Sequence, residues 1–378
     1  MMSAILEDFT SIRGVSLIKI KEAKDEGQKV VGIYCTYCPQ EMILAAGAIP
    51  VSLCGTSETP IADAETVLPR NLCPLIKSSY GFAVTDTCPF FHFSDLIIGE
   101  TTCDGKKKMF EIMQEIKPVY VMQLPHLHQL DAALELWIKE LRRLRSTLEE
   151  ELDVEISDEK LWDAIRKVNH ETMAVKAICD LNKKNPPVLN GLDLLTVTWS
   201  RNFSSDKEEL FTMLNELQQE LATNQESEAN ANKPRVLLTG CPVGLGSEKV
   251  IRLVEESGGL IVAMENCSGY KTLELQSDTE LDDPIIALAQ KYMEIPCSCM
   301  SPNPYRFELL ERMLEEFQVD AVVDLTWQAC HTYNIEAFTV GNLVRDKGLP
   351  YLHLESDYSS SDLETLKVRI EALLEMVV

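Results

Sequence analysis

The stretch Leu96–Met113, LIIGETTCDGKKKMFEIM, decides how this chain folds. Leu96, Ile97, Ile98 and Gly99 form a short apolar run of the kind that fills a buried parallel strand. The period then changes. Met109, Ile112, Met113 and Ile116 fall at i, i+3, i+4 and i+7, one face of a helix. Cys103 stands at the switch, at the C-terminal end of a strand and the N-terminal end of a helix. Open α/β sheets place their ligands at that position, and a helix N-terminus stabilises a thiolate. Alone, Cys103 reads as a small buried residue in a turn.

Outward from this stretch, the same unit recurs. Val30–Tyr34, Ile49–Leu53 and Val119–Met122 read as three further strands of a first half, and a helical pattern precedes the first of them. Residues 131–222 are helical almost throughout, with LELWIKELRRLRSTLEEEL amphipathic and Ser157 placed as an N-cap. Residues 223–234, TNQESEANANKP with its neighbours, lack apolar anchors and read as a flexible linker. Strands then resume at Arg235–Thr239, Leu260–Met264, Ala321–Leu325 and Tyr351–Leu354. The fold expected is α/β. Two pseudo-symmetric Rossmann-like parallel-sheet domains (1–130 and 235–378) are joined by a helical insert (131–222) and the linker.

The cysteines follow the repeat. Cys35 answers Cys241, Cys54 answers Cys267, Cys73 answers Cys297 or Cys299, and Cys103 answers Cys330. All stand at strand C-termini or in the loops beyond, so they converge on one cleft. A matching set in two halves makes Cys103 part of a site.

Composition narrows the chemistry. The formal net charge of −25 argues against nucleic acid or an anionic membrane surface as partner. No run approaches the ~18 apolar residues of a membrane span, and MMSAILEDFTSIRG does not read as a secretory signal. A cytoplasmic protein is expected. Its twelve cysteines then point to metal or redox chemistry rather than disulfides.

Four readings of these thiols compete. A structural zinc site takes four ligands and leaves several cysteines unexplained. Cys35-x-x-Cys38 fits a thioredoxin-like redox pair. Cys179, Cys88 and Cys54 suit a purely structural core role. An iron–sulfur cluster bridging two domains accounts for dispersed thiolate ligands best.

RNLCPLIKSSYGF, GETTCDGKKKMFE, ENCSG, PCSCMSPNP and QACHTYNIEA resemble the motifs of the double-cubane cluster proteins, a branch of the 2-hydroxyacyl-CoA dehydratase superfamily. The likeness runs from about Val30 to Asp357. It implies that Cys73, Cys103 and Cys330 hold one cubane, as in the related dehydratase subunits. Cys35, Cys267 and one of Cys297 and Cys299 would hold a second, and we expect Cys299, which stands nearer the SPNP turn. Cys38 competes with Cys35, and Cys241 with Cys267. The resemblance further implies an 8Fe-9S double-cubane cluster, a separate ATP-hydrolysing iron–sulfur reductase as electron donor, a homodimer, and low-potential reduction of a small-molecule substrate. The alternative is a dehydratase component with a single 4Fe-4S cubane. A third reading is an electron-transfer or cluster-storage protein.

Other candidates are tied to these motifs. The chain has no G-x-x-x-x-G-K-[ST] motif, and Gly240-Cys-Pro-Val-Gly244-Leu-Gly246 reads as a tight turn. His331 and Glu265, beside Cys330 and Cys267, are the nearest candidate proton donors, with ordinary structural roles competing. His126 and His128 fall beyond the fourth strand, on the cleft side. Lys106, Lys107 and Lys108 could offset cluster charge or dock an acidic partner, with a solvated helix face as the default reading.

Overall fold

A computed structural model describes residues 4–53, 55–223 and 230–377. Cys54, and residues 224–229 of the expected linker, lie outside the described residues.

The first sheet contains Val30–Ile33 (β1), Ile49–Ser52 (β2), Leu96–Glu100 (β3) and Val119–Met122 (β4), in the order β2-β1-β3-β4. The second contains Arg235–Gly240 (β5), Leu260–Met264 (β6), Ala321–Trp327 (β7) and Tyr351–Ser356 (β8), in the order β6-β5-β7-β8. Every pairing is parallel, and the two orders are the same pattern. The internal repeat read from the sequence is thus a repeat of topology. β3, β5, β6 and β7 are buried along their whole length. This is why they appear in the sequence as largely apolar runs and not as alternation.

In both sheets the winding reverses between the first and third strands, β1/β3 and β5/β7. Loops leaving the C-terminal ends of those strands diverge to opposite faces, and the crevice between them is where such sheets bind ligands. Cys35 and Cys103 follow β1 and β3; Cys241 and Cys330 follow β5 and β7. The helix Asp104–Met113 folds back onto β3 closely enough that a Cβ on Gly99 would meet the Phe110 ring at 2.5 Å. That contact sets the helix position and so the position of Cys103 at its N-terminus.

Between the sheets, residues 131–223 are helical as expected: Asp131–Leu152, Asp158–Asp180, Gly191–Ser200 and Lys207–Thr223. Trp137, Leu141, Leu144, Leu148 and Leu152 form the buried stripe of the first. Ser157 caps the second, accepting a hydrogen bond from the Lys160 N–H at 3.2 Å. These helices do not stand apart from the sheets. Leu194, Leu195 and Val197 share one apolar cluster with Phe9, Ile97, Val236 and Leu325, so a continuous core runs through both halves. Cys179 is buried in this core. Among the described residues, no helix is long and apolar enough to cross a membrane.

Candidate metal centre

Besides Cys88, which precedes the short helix Pro89–Phe93, three cysteines of the expected ligand set occupy helix N-caps. Cys73 precedes Pro74–Val84, Cys103 precedes Asp104–Met113, and Cys330 precedes His331–Asp346. The Cys103 sulfur accepts a hydrogen bond from the Lys106 N–H at 3.4 Å. Each thiol therefore faces the positive end of a helix dipole, which favours a thiolate or an anionic group bound to it. These three thiols lie close enough to repel one another when ionised. Burial, reinforced by Cys330, pushes Cys73 up to about 12. Burial also raises Cys103, although the Lys106 N–H and ammonium oppose it.

A second triad forms from Cys35, in the turn after β1, Cys267, after β6, and Cys297, in the loop before the helix Pro304–Glu316. Cys35 interacts with both Cys267 and Cys297. Burial raises Cys35 and Cys267, and nearby lysines pull the other way: Lys106 on both, and Lys271 on Cys267. Cys297 is different. A hydrogen bond from Cys299, above all, brings it down to about 5 against the cost of burial, with Lys271 and Tyr333 assisting. Cys330 also interacts with Cys297, so the two triads adjoin.

The remaining described cysteines fall outside the triads. Cys38 is buried near Glu100 and Glu41. Cys241 sits behind Cys330 and accepts the Trp327 N–H at 3.3 Å. Cys299 is buried behind Cys297, within 3.7 Å of the Tyr37 hydroxyl. Cys88 lies near Arg13. The described cysteines are all free thiols. Among the described residues, no three His, Cys, Asp or Glu side chains are drawn around a single metal-ion position.

Around the second triad lies a buried polar frame that adds Glu100, Lys271 and Tyr333 to the sequence-based candidates. The Lys106 ammonium contacts the Glu100 carboxylate and donates to the Tyr34 carbonyl at 3.3 Å. Lys106 is only 8% exposed, which corrects the reading of Lys106–Lys108 as one solvated face. Lys107 and Lys108 do face solvent, paired with Asp104 and Glu111. The difference lies in Glu100: a carboxylate at the buried end of β3 needs a cation, and Lys106 is the lysine that reaches it. Lys271, fully buried, donates to the Tyr333 hydroxyl and lies 3.4 Å from Glu265. The Tyr333 hydroxyl is 3.9 Å from the Cys297 sulfur. Lys271 stands four residues after Cys267, and Tyr333 three after the N-cap Cys330, spacings legible in the sequence.

The two candidate proton donors are placed differently from one another. Glu265 is sealed in: its carboxylate accepts from Thr239 at 2.6 Å and lies 3.3 Å from Arg306 and 3.4 Å from Lys271. Burial would raise it, yet Arg306 and Lys271 overcome that and hold it below the ordinary carboxylate range. It is an ionised anchor for Lys271 rather than a source of protons. His331 is exposed at the first position of its helix. His126 bonds the Thr101 carbonyl at 3.0 Å, and its own carbonyl accepts the Ser301 N–H at 3.0 Å, tying the loop after β4 to the Cys297–Cys299 loop. His128 packs on Tyr305. The glycine-rich turn after β5 is tight, as expected. Gly240 has φ +104°, and a Cβ on Gly244 would meet the Trp199 indole nitrogen at 2.4 Å.

A cavity of about 160 Å³ opens beside the second triad. It is lined by Cys35, Thr36, Cys38, Cys267 and Ser268, and by Trp199, Arg201 and Asn202 of the helical region.

Residues 35–377 match the family described as 2-hydroxyglutaryl-CoA dehydratase, D-component. The chain is 48% identical over its full length to the putative dehydratase subunit YjiM of Escherichia coli, covering 98% of that protein. It is 23% identical to the (R)-phenyllactyl-CoA dehydratase beta subunit of Clostridium sporogenes, over 94% of each chain. It is 21% identical to the beta subunit of (R)-2-hydroxyglutaryl-CoA dehydratase of Acidaminococcus fermentans, over 99% of each chain. Two parallel sheets in repeated order and a match spanning nearly every residue agree: the chain belongs to the 2-hydroxyglutaryl-CoA dehydratase D-component family.

Proposed function

We propose that this protein is an iron–sulfur enzyme that reduces small molecules at low potential, holding a double-cubane cluster between the sheet-bearing parts 1–130 and 235–378. The observation that carries this reading is the pair of adjoining thiol triads, Cys73/Cys103/Cys330 and Cys35/Cys267/Cys297. The donor set suits such a group: the thiols are free, largely buried, and contributed by both halves of the chain. We assign the sixth ligand to Cys297 rather than Cys299, because Cys297 interacts with both Cys267 and Cys35, whereas Cys299, though also near Cys35, bonds to Cys297 and the Tyr37 hydroxyl. When bound, the cluster would supply one-electron chemistry. The chain's own residues exclude water, donate hydrogen bonds to sulfur from Tyr333 and the Lys106 N–H, and balance charge through Lys106 and Lys271.

Electrons would come from a separate ATP-hydrolysing iron–sulfur protein; the glycine-rich turn after β5 is packed against Trp199 and Thr56. A homodimer is part of the same proposal. The cavity at the second triad supports a small substrate. Its volume of about 160 Å³ is below the roughly 300–1,000 Å³ of pockets for drug-sized ligands.

A second reading, radical dehydration of a 2-hydroxyacyl-CoA with a single 4Fe-4S cubane, is favoured by the names of the relatives, which are dehydratase subunits. Iron and sulfide analysis of anaerobically purified protein separates the two. About eight irons per chain is expected, and about four supports the dehydratase reading. Zinc alone, with no iron, sinks both.

A further inference from the structure

We propose that the cavity lined by Cys35 and Cys267 is a site for a small planar oxyanion, a carboxylate or a nitrogen oxyanion, held by the guanidinium of Arg201. As the substrate class of the reductase, this rests on the cluster reading above. Arg201 is the C-cap of the helix Gly191–Ser200 and lines the cavity, yet it is only 8% exposed. Its Nε donates to the Thr198 carbonyl at 3.3 Å, which anchors the side chain. The two terminal nitrogens make no hydrogen bond among the described residues. Glu171 lies 3.6 Å from Nη1, and the other Glu171 oxygen pairs with Lys207 at 2.9 Å. An arginine committed to a carboxylate grips it with two parallel bonds of about 2.7–2.9 Å. Here one carboxylate stands between two cations, and one positive charge is left over.

Lys291 also lines the cavity, but its ammonium is paired with Glu41 at 2.8 Å. Arg201 is therefore the lining cation without a carboxylate to itself. A buried charged donor lacking an acceptor is costly, and water answers the hydrogen bonds but not the charge. Trp199 adds a donor. Its indole N–H has no acceptor among the described residues, and Gly244, also on the cavity, keeps the approach to it open: a Cβ there would meet Nε1 at 2.4 Å. The guanidinium fork matches two oxygens of a planar oxyanion. Its charge also offsets the repulsion that thiolates in the same cavity exert on an anion. An ion on the fork would share a space of about 160 Å³ with two of the proposed cluster ligands.

The test uses the full-length protein purified anaerobically, with iron per chain measured first. Formate and nitrate are titrated by calorimetry, and the spectrum of the reduced cluster is recorded with and without each ion. Each is expected to bind once per chain, to displace the other and to perturb the spectrum. Tighter formate assigns a carboxylate and tighter nitrate a nitrogen oxyanion, either one supporting the site. Arg201→Met is expected to weaken binding about tenfold or more, the loss of a charge-assisted hydrogen bond. Arg201→Lys keeps the charge without the fork and is expected to fall between. Glu171→Gln removes the carboxylate that competes for Arg201 and is expected to tighten binding, whereas a purely structural Arg201–Glu171 pair predicts no gain. Where Arg201→Met does not fold, Glu171→Gln decides. The inference is overturned by iron-loaded wild type without saturable binding, by a spectrum blind to the bound ion, by unchanged affinity in folded Arg201→Met, or by no gain in Glu171→Gln. Wild-type protein that binds the ions through Arg201 but holds no iron overturns the cluster reading and leaves the oxyanion site standing.

Discussion

The Tyr333 hydroxyl stands between two groups that depend on it, 3.9 Å from the Cys297 sulfur and in hydrogen-bond contact with the buried Lys271 ammonium. Lys271 is fully buried, and burial works against its charge, yet Glu265, Cys267 and Cys297 together hold it protonated. Tyr333→Phe keeps the ring, over which Lys271 and Arg306 lie at 4.8 and 4.9 Å, and removes only the hydroxyl. A hydrogen bond to a charged group contributes about 1.5–3 kcal/mol. The metal-free variant is expected to lose about that much stability in urea unfolding. A loss under about 0.5 kcal/mol would show that the hydroxyl is not the ammonium's partner.

Substituting each near neighbour in turn tests the thiol assignments. Cys297→Ser, Cys35→Ser and Cys267→Ser are expected to lower iron per chain by about half, since each removes a thiolate from one cubane of two. Cys299→Ser, Cys38→Ser and Cys241→Ser are expected to retain iron, because Cys299 bonds the Tyr37 hydroxyl, Cys38 is buried near Glu41 and Glu100, and Cys241 lies behind Cys330 and accepts the Trp327 N–H. Iron retained in Cys297→Ser and lost in Cys299→Ser would reverse the assignment of the sixth ligand.

Much of this arrangement is legible before any coordinates. Buried parallel strands write themselves as apolar runs, so β4 and β6 are placed to the residue, and the repeat of cysteines after strands foretells their convergence. What escapes is decided by side-chain direction inside irregular loops. Cys297 and Cys299 stand two apart in a turn, where no strand or helix period says which faces inward. Lys106 is indistinguishable from Lys107 and Lys108 by composition. Its burial follows from Glu100, a carboxylate inside a strand that the sequence presents merely as the end of an apolar run. Glu265 is similar: its neighbour Cys267 suggests chemistry, and only the fold brings Arg306 across to hold it ionised.

Arg306 is the cation on which that corner depends. Fully buried, it lies 3.3 Å from Glu265, contacts Glu336, and donates to Thr239 at 3.0 Å. Arg306→Met leaves two carboxylates short of their partner. Breaking a buried pair from one side costs about 3–5 kcal/mol. Adding Glu265→Gln to that variant is expected to restore part of the loss, because the uncompensated charge goes with it. A double variant no more stable than Arg306→Met would mean that packing, not charge, explains the effect.

Asp324 gives a dependence on pH with a definite sign. It lies inside β7, almost fully buried, with one oxygen accepting from the Tyr351 hydroxyl at 2.8 Å and the other without a partner. Burial raises it above its ordinary 3.8, although Arg306 and Tyr351 oppose the shift. The folded chain therefore holds this proton more tightly than the unfolded chain does. As pH rises from 3.8 the unfolded chain releases the proton first, so the contribution of Asp324 to stability falls. Above the folded value a constant penalty remains. Asp324→Asn is neutral at every pH and can donate as well as accept. Relative to wild type it is expected to gain about 1 kcal/mol at neutral pH, the lower end of the penalty for an unsatisfied buried group. That gain should shrink as pH falls toward 3.8. The check is urea unfolding of both metal-free proteins from neutral to mildly acid pH. A difference that grows on acidification would mean that Asp324 is held ionised in the fold, with Arg306 prevailing over burial.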